Sequence, residues 1–181
     1  MASAKSIKDR YGDITVKRAT ATHAGKLQHH LRITDLRECL IHGATPWRAL
    51  HYPLTVEGAT TYSIMLGKTP IAMGGVVPID TSGETSVGSV WMLGSTLVED
   101  HALNFHKCVK DILDTLQMQW DILENVVPLD HSRTIKWLDR LDFHFAVTPT
   151  VINGFAVLRF VRCASHIEVS FEEDDDRPAS N

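Results

Sequence analysis

The sequence has few cysteines and no long apolar run. Its three cysteines, Cys39, Cys108 and Cys163, are odd in number and far apart. This pattern argues against a disulfide framework and is typical of a reducing compartment. No apolar run approaches the roughly 20 residues that a membrane-spanning helix needs, and the N-terminus lacks the apolar core of a secretory signal. We therefore expect a cytosolic protein that does not span a membrane.

Clustered metal ligands and concentrated positive charge are also missing. The ten histidines form no His-x-x-x-His pair, and the cysteines form no Cys-x-x-Cys pair, so we predict no metal site. Residues 1–167 carry 17 basic and 16 acidic side chains. A body so close to neutral argues against a nucleic-acid partner.

The chain is long enough for one domain with a substantial core. It has 181 residues, of which 44% are hydrophobic, and we predict a single domain over residues 1–167. Residues 168–181 hold six acidic side chains and one basic one, a composition typical of a disordered tail. The alternative for this segment is a docking tail for a basic partner.

Helical spacing of apolar residues predicts several helices. The predicted helices are one capped by Thr22 with Leu27 and Leu31 on one face; one capped by Thr34 that turns Leu36, Leu40 and Ile41 inward and stops at Gly43; and one over residues 102–116 whose apolar face includes Leu103, Val109, Ile112, Leu113 and Leu116.

Short apolar or alternating runs predict the strands. The predicted strands cover Ile14–Arg18, a hairpin of 62–66 and 71–78, residues 87–93 after a polar loop, and a final hairpin of 146–151 and 155–162 that turns at Asn153-Gly154.

Residues 121–145 form the stretch around which the remaining elements are arranged. The branched apolar run 122–129 predicts a buried strand that ends at Pro128. Asp130 is predicted to cap a helix that begins near Ser132 and repeats apolar residues at spacing three. A strand, a tight turn and a helix follow one another here.

This stretch resembles a known family. The pattern Asn-Val-Val…His131-Ser-Arg-Thr-Ile-Lys-Trp-Leu-Asp-Arg-Leu-Asp-Phe is similar to the last strand–helix unit of the GNAT acetyltransferases, Asn-x-x-Ala-x-x-Phe-Tyr-x-x-x-Gly-Phe. It resembles more closely the small GNAT-like proteins of short-tailed phages, of the internal virion protein A type, which carry a Trp-Leu pair here. Two further blocks, 67–78 and 90–95, resemble a hairpin and the central strand of those proteins, so the resemblance covers about half the chain. It implies an α/β fold with a mixed, mostly antiparallel sheet of six or seven strands flanked by helices.

The cofactor loop that the resemblance implies departs from the family pattern. The family binds the acyl-coenzyme A diphosphate at Arg/Gln-x-x-Gly-x-Gly/Ala, because a glycine-rich turn before a helix offers several N–H donors to phosphate. Here the corresponding loop reads Gly-Ser-Thr-Leu-Val-Glu-Asp over residues 94–100 and adds negative charge. If acyl-coenzyme A binds, the resemblance places it at Leu93, Gly94, Ser95, Thr96 and Leu97. The alternative is a plain strand–helix connection capped by Thr96 or Asp100.

The catalytic groups of the family are also incomplete. Its general acid is often a tyrosine, but Trp137 and Leu138 occupy that place, and an indole has no proton to give at useful pH. His131 stands where the family has asparagine, and it is our candidate catalytic base or ligand-binding group. The alternative is a histidine that only caps a helix or faces solvent.

Two functions follow from these features. The first is a noncatalytic GNAT-like phage protein that needs no cofactor and binds phage or host proteins during virion assembly or inside the particle, in the host cytoplasm or the virion. The alternative is an acetyl-coenzyme A-dependent N-acetyltransferase that acts on an amine of a host protein or of a small molecule.

Overall fold

The structure, a computed structural model, describes residues 10–167. The strands of that part of the chain are β1 (Ile14–Arg18), β2 (Thr60–Leu66), β3 (Thr69–Asp80), β4 (Val87–Gly94), β5 (Ile122–Pro128), β6 (His144–Phe145), β7 (Thr150–Ile152) and β8 (Phe155–Cys163). The helices are α1 (Ala21–Leu27), α2 (Ile33–Ile41), α3 (Pro46–His51), α4 (Leu97–Asp100), α5 (Ala102–Gln117) and α6 (Ser132–Asp139), with a 3₁₀ turn at Tyr52–Leu54.

All eight strands belong to one sheet in the order β1-β2-β3-β4-β5-β8-β6, and β7 pairs with β8. β4 and β5 run parallel, whereas the other pairs are antiparallel. The expectation of a mixed, mostly antiparallel sheet is confirmed. The strand count is higher than the predicted six or seven, because Pro149 cannot donate to a ladder and separates short β6 from short β7.

Each face of the sheet buries its own apolar cluster. Helix α5 packs on one face, where Phe105, Val109 and Leu113 join residues of the central strands. Helices α1 and α3 cover the other face, where Leu27 and Leu50 pack with residues of β3 and β4. Both of these leucines are fully buried, and each contributes about 2 kcal/mol by leaving water. The cores on either side hold the sheet in place between the helices.

Three predicted apolar positions face outward instead. Leu36 and Leu40 of α2 are 37% and 64% exposed, and Leu103 of α5 is 78% exposed. Helix α2 instead buries Asp35 and Cys39, because Arg32 and β4 supply partners for the Asp35 carboxylate. The prediction that Leu36 and Leu40 turn inward was therefore wrong. The prediction that Leu103 belongs to the apolar face of its helix was also wrong.

The parallel strands β4 and β5 separate soon after they meet. Only residues 87–89 of β4 pair with residues 122–124 of β5. Beyond that point the Asn125 side chain bonds the backbone groups that no longer pair between the strands. Its Nδ2 donates to the Val90 carbonyl at 2.7 Å, and its Oδ1 accepts from the Val126 N–H at 2.8 Å. We call the diverging ends of the two strands, beyond Val90 and Asn125, the fork.

Among residues 10–167 no helix is long and apolar enough to cross a membrane.

The structure does not test two of the sequence-based expectations, the disordered tail and the domain boundary. The acidic segment 168–181 lies beyond the described residues, so its prediction as a disordered tail stays a prediction, as does the single-domain boundary at residue 167.

Candidate functional site

A cavity of about 1070 Å³ lies at the fork and reaches both faces of the sheet. On one face its walls come from α5 and α6, and on the other from α2, α3 and the 3₁₀ turn. Val126 of β5 and Trp91 of β4 line it between these walls. A volume at the upper end of the range for ligand sites is large enough for a long cofactor with a second substrate.

The wall formed by α5 and α6 carries positive charge. Arg133 and Arg140 line the cavity, both are exposed, and within residues 10–167 neither has a carboxylate oxygen within 4.0 Å. The His101 N-cap of the long helix α5 makes no side-chain cap bond, which leaves first-turn N–H groups for an anion. Beneath them the ring of Phe105 stacks on that of Trp137 at 6.2 Å, so Trp137 serves packing.

Several backbone donors of the loop that the resemblance assigned to the cofactor are engaged in hydrogen bonds. The Ser95 N–H and Oγ both donate to the Ile71 carbonyl, at 2.8 and 3.1 Å. The backbone of Gly94 favours the charged form of the Asp35 carboxyl, and the N–H groups of Val98 and Glu99 bond within the loop. Leu93 lines the cavity, whereas Thr96 stands at the N-cap of α4 without a side-chain cap bond. The cofactor role of Leu93–Leu97 stays a prediction, because Ser95, Val98 and Glu99 have their N–H groups engaged, whereas within residues 10–167 Thr96 and Leu97 do not.

The opposite wall carries a buried ion pair. The Arg32 guanidinium donates to Asp35 through Nε at 2.5 Å and Nη2 at 3.0 Å. Asp35 is 2% exposed, and burial raises the pKa of its carboxyl although Arg32 and the Gly94 backbone favour the charged form. Because Arg32 is paired with Asp35, its charge is only partly available to stabilise the carboxylate form of Glu38, the next acidic residue on the helix.

That next carboxyl, Glu38, lines the cavity one helical turn after Asp35. Its side chain is 26% exposed. Burial and the neighbouring Asp35 raise the pKa of Glu38 to about 8. Sequence reasoning missed this residue. Its signal was the spacing of Asp35, Glu38 and His42, which puts three titratable groups on one face of α2.

His131 faces Glu38 across the cavity wall. It occupies the N-cap position of α6 without a side-chain cap bond, its side chain is 9% exposed, and its Nδ1 lies 3.9 Å from Glu38 Oε1. Burial lowers the pKa of His131. Asp130 was predicted to cap this helix, but its carboxylate instead accepts a 2.7 Å hydrogen bond from Arg37. The structure thus brings His131 beside Glu38, and its catalytic role stays a prediction.

Helix α2 bridges the two ends of the fork. At the β4 end, the Arg32 N–H donates to the Gly94 carbonyl at 3.0 Å. At the β5 end, Arg37 pairs with Asp130, and Asn153 Nδ2 donates to the Ile41 carbonyl at 2.8 Å. These contacts fix the helix across the strand ends and hold Glu38 at the cavity.

No protein-family model matches the sequence, and no curated protein matches it. Solved structures do match. A GCN5-related N-acetyltransferase from Kribbella flavida is 14% identical, with a TM-score of 0.63, covering 84% of this chain and 98% of its own. A ribosomal protein S5 alanine acetyltransferase from Vibrio fischeri is 11% identical, with a TM-score of 0.63, covering 86% of this chain and 95% of its own. An aminoglycoside acetyltransferase in complex with coenzyme A is 16% identical, with a TM-score of 0.59, covering 83% of this chain and 94% of its own. The chain therefore has the fold of the GNAT acetyltransferases.

Proposed function

We propose that the protein is an acyl-coenzyme A-dependent N-acyltransferase. The observation that carries this proposal is the cavity that joins both faces of the sheet at the fork, with the Glu38 carboxyl in its wall. Two substrates can then approach from opposite faces and meet between the separated strands. The matched structures are acetyltransferases, and one holds coenzyme A. They support the enzymatic alternative of the sequence interpretation over its noncatalytic one.

The residues present fit an acyl-coenzyme A that enters along α5 and α6. Because the N–H groups of Ser95, Val98 and Glu99 are engaged, the phosphates would be held mainly by Arg133, Arg140 and the first turn of α5. The coenzyme supplies an acyl group activated as a thioester. The acyl end of the cofactor would lie at the fork, near Asn125.

Glu38 is suited to take a proton from an amine. Below its pKa of about 8 it is mainly protonated, but an ammonium group beside it favours the carboxylate, as an opposite charge within a few ångströms does. The carboxylate can then accept the proton that the amine loses on attack. Trp91 Nε1, a buried donor without an acceptor within residues 10–167, can bond a substrate oxygen.

Calorimetric titration of acetyl-coenzyme A into the full-length protein tests the binding step. We expect micromolar binding that Arg133→Glu weakens by about tenfold or more, since a charge-assisted contact is worth roughly 1.5–3 kcal/mol. Arg48→Glu, on the opposite wall of the cavity, is the matched control and should bind as the wild type does. Equal loss in both variants, or no binding at near-millimolar acetyl-coenzyme A, would contradict the proposal.

A panel of primary amines, from n-butylamine to lysine peptides, tests the chemical step by release of free coenzyme A. Glu38→Gln should keep acetyl-coenzyme A binding and lose turnover by about 100-fold, the usual size of a general-base contribution. Full turnover in this variant would contradict the assignment of Glu38 as the group that accepts the amine proton.

A noncatalytic binding protein is the second candidate function. The engaged donors of Ser95, Val98 and Glu99 favour it. The resemblance to phage proteins suggests virion assembly as its setting and phage or host proteins as its partners. Absence of acetyl-coenzyme A binding in the titration would make this the preferred function.

A further inference from the structure

Glu38 and His131 face each other without the usual partners of buried polar groups. Their Oε1 and Nδ1 atoms are 3.9 Å apart. His131 Nδ1 is buried and has no hydrogen-bond partner within the described part of the chain. Leaving such a nitrogen unbonded costs free energy, and buried polar atoms that stay unbonded are few in native proteins. Within that part of the chain, His131 Nδ1 therefore lies unbonded beside a carboxyl that lines the cavity, an arrangement that is typical of a functional group rather than a structural one.

The charged groups around the pair are already committed to other partners. Arg32 is bound to Asp35 on α2, and Arg37 is bound to Asp130 at the end of β5. The charged side chains that act on the pair are Arg32, Asp35, Arg37 and Asp130. His42 is on the same helix, and burial alone lowers its pKa. Within residues 10–167, Glu38 is the carboxylate that comes within 4.0 Å of the His131 ring. The two groups are thus left to exchange a proton with each other.

We propose that His131 is the route by which the Glu38 proton leaves the cavity. The inference rests on the proposed function, in which Glu38 must be a carboxylate when the amine reacts. The Oε1–H bond of protonated Glu38 breaks as an Nδ1–H bond forms on His131. The imidazolium then loses its Nε2 proton to a water molecule. The carboxylate that remains accepts the proton that the amine releases. The same route serves this second proton once a ring flip or tautomer exchange has restored an unprotonated nitrogen on the side of Glu38.

The geometry suits a transient transfer rather than a permanent bond. A distance of 3.9 Å exceeds a normal hydrogen bond by roughly 1 Å, and a small side-chain rotation closes such a gap. Burial of the imidazole disfavours its charged form, so His131 passes the proton on instead of keeping it. Fixing α2 to the ends of β4 and β5 holds the two groups at this distance.

The pair can be tested without any substrate. Carbon-13 NMR of glutamate-labelled protein follows the Glu38 carboxyl through a pH titration, and nitrogen-15 NMR follows the His131 ring. We expect coupled titration: His131→Ala shifts the Glu38 midpoint, and Glu38→Gln shifts the His131 midpoint, each by roughly half a pH unit or more. His42→Asn, which alters a neighbouring cavity histidine, should leave the Glu38 midpoint within the error of the titration. No mutual shift would overturn the proposal whether or not the protein is an enzyme.

Turnover separates a proton route from a merely structural role. With acetyl-coenzyme A and n-butylamine as probes, His131→Ala should lower kcat about tenfold or more, and added imidazole should restore part of it in proportion to its concentration. His131→Asn, which keeps an amide near the Nδ1 position but accepts no proton, should stay impaired. Full activity of His131→Asn, or no rescue of His131→Ala by imidazole, would overturn the proton route. A wild type without turnover would refute the proposed function, while the NMR titration would still decide the pairing.

Discussion

Replacing Glu38 by glutamine should change how protein stability depends on pH. Glutamine keeps the shape of the side chain but has no proton to release in this range. The wild-type carboxyl, by contrast, is held with its pKa raised from 4.5 to about 8 by burial and by Asp35. Subtracting the two stability curves isolates the contribution of this one group.

The sign and size follow from proton linkage. Well below pH 4.5, Glu38 is protonated in both the folded and the unfolded chain. Between pH 4.5 and about 8 the unfolded chain releases the proton and the folded chain keeps it, so wild-type stability falls by about 1.4 kcal/mol per pH unit. Relative to pH 4.5, the wild type should lose roughly 3 kcal/mol by pH 7 and roughly 4 kcal/mol by pH 9 against Glu38→Gln.

Urea unfolding between pH 5 and pH 9 measures this difference directly. The free energy of unfolding of Glu38→Gln should exceed that of the wild type by a margin that grows with pH and levels off above pH 8. Glu57→Gln, at an exposed position, is the matched control and should show a constant difference. A pH-independent difference for Glu38→Gln would refute the environment that we assign to Glu38.

Four further changes test the fork, the attachment of α2, and the packing around two glycines. Asn125→Ala removes the bond to the Val90 carbonyl and should cost about 1–2 kcal/mol in urea unfolding. Asn153→Gly keeps the left-handed turn (φ 47°) but loses the bond to α2, so hydrogen exchange should accelerate in α2 and not in α5. Gly75→Ala places a Cβ 1.9 Å from the Thr60 carbonyl oxygen and should lower the unfolding free energy by at least about 2 kcal/mol. Gly25→Ala, whose Cβ meets nothing closer than 3.8 Å, should instead stabilise α1 by up to about 1 kcal/mol.

Local patterns predicted most of the elements. The run Ile14–Arg18 is β1 as expected, and the helix predicted over 102–116 is α5. The turn at Asn153-Gly154 is confirmed, with φ values of 47° and 81°, because Asn and Gly tolerate the left-handed conformation that a tight hairpin requires. These signals lie within a few residues of one another, so the sequence alone carries them.

The interior face of α2 could not be predicted in the same way. Leu36 and Leu40 indicated one face by hydropathy, yet the helix buries Asp35. The main partner of the buried carboxylate is Arg32, three residues earlier on the chain. A second is the backbone of Gly94, which is far away in sequence and approaches only when β4 and α2 have packed. A charged side chain can be buried when the folded protein supplies its partners. The spacing of apolar residues in the sequence does not predict such a burial.

The candidate site was predicted only in part. The resemblance drew attention to His131, and the composition of loop 94–100 indicated that a glycine-rich cradle was missing. Glu38 went unnoticed because its raised pKa depends on burial in the folded protein and on an Arg32 already paired with Asp35. The cavity itself arises from the divergence of β4 and β5 after three paired residues, which no short sequence pattern encodes.

The position of the acetyl group in a complex tests the central claim most directly. Acetyl-coenzyme A labelled with carbon-13 in its methyl group can be added to the full-length protein, and intermolecular nuclear Overhauser effects can be recorded from that methyl. We predict contacts to the Asn125 side-chain amide and the Trp91 indole N–H, the groups that stand at the fork. Contacts confined to other parts of the surface, or none at saturating acetyl-coenzyme A, would contradict an acyl-transfer site between β4 and β5.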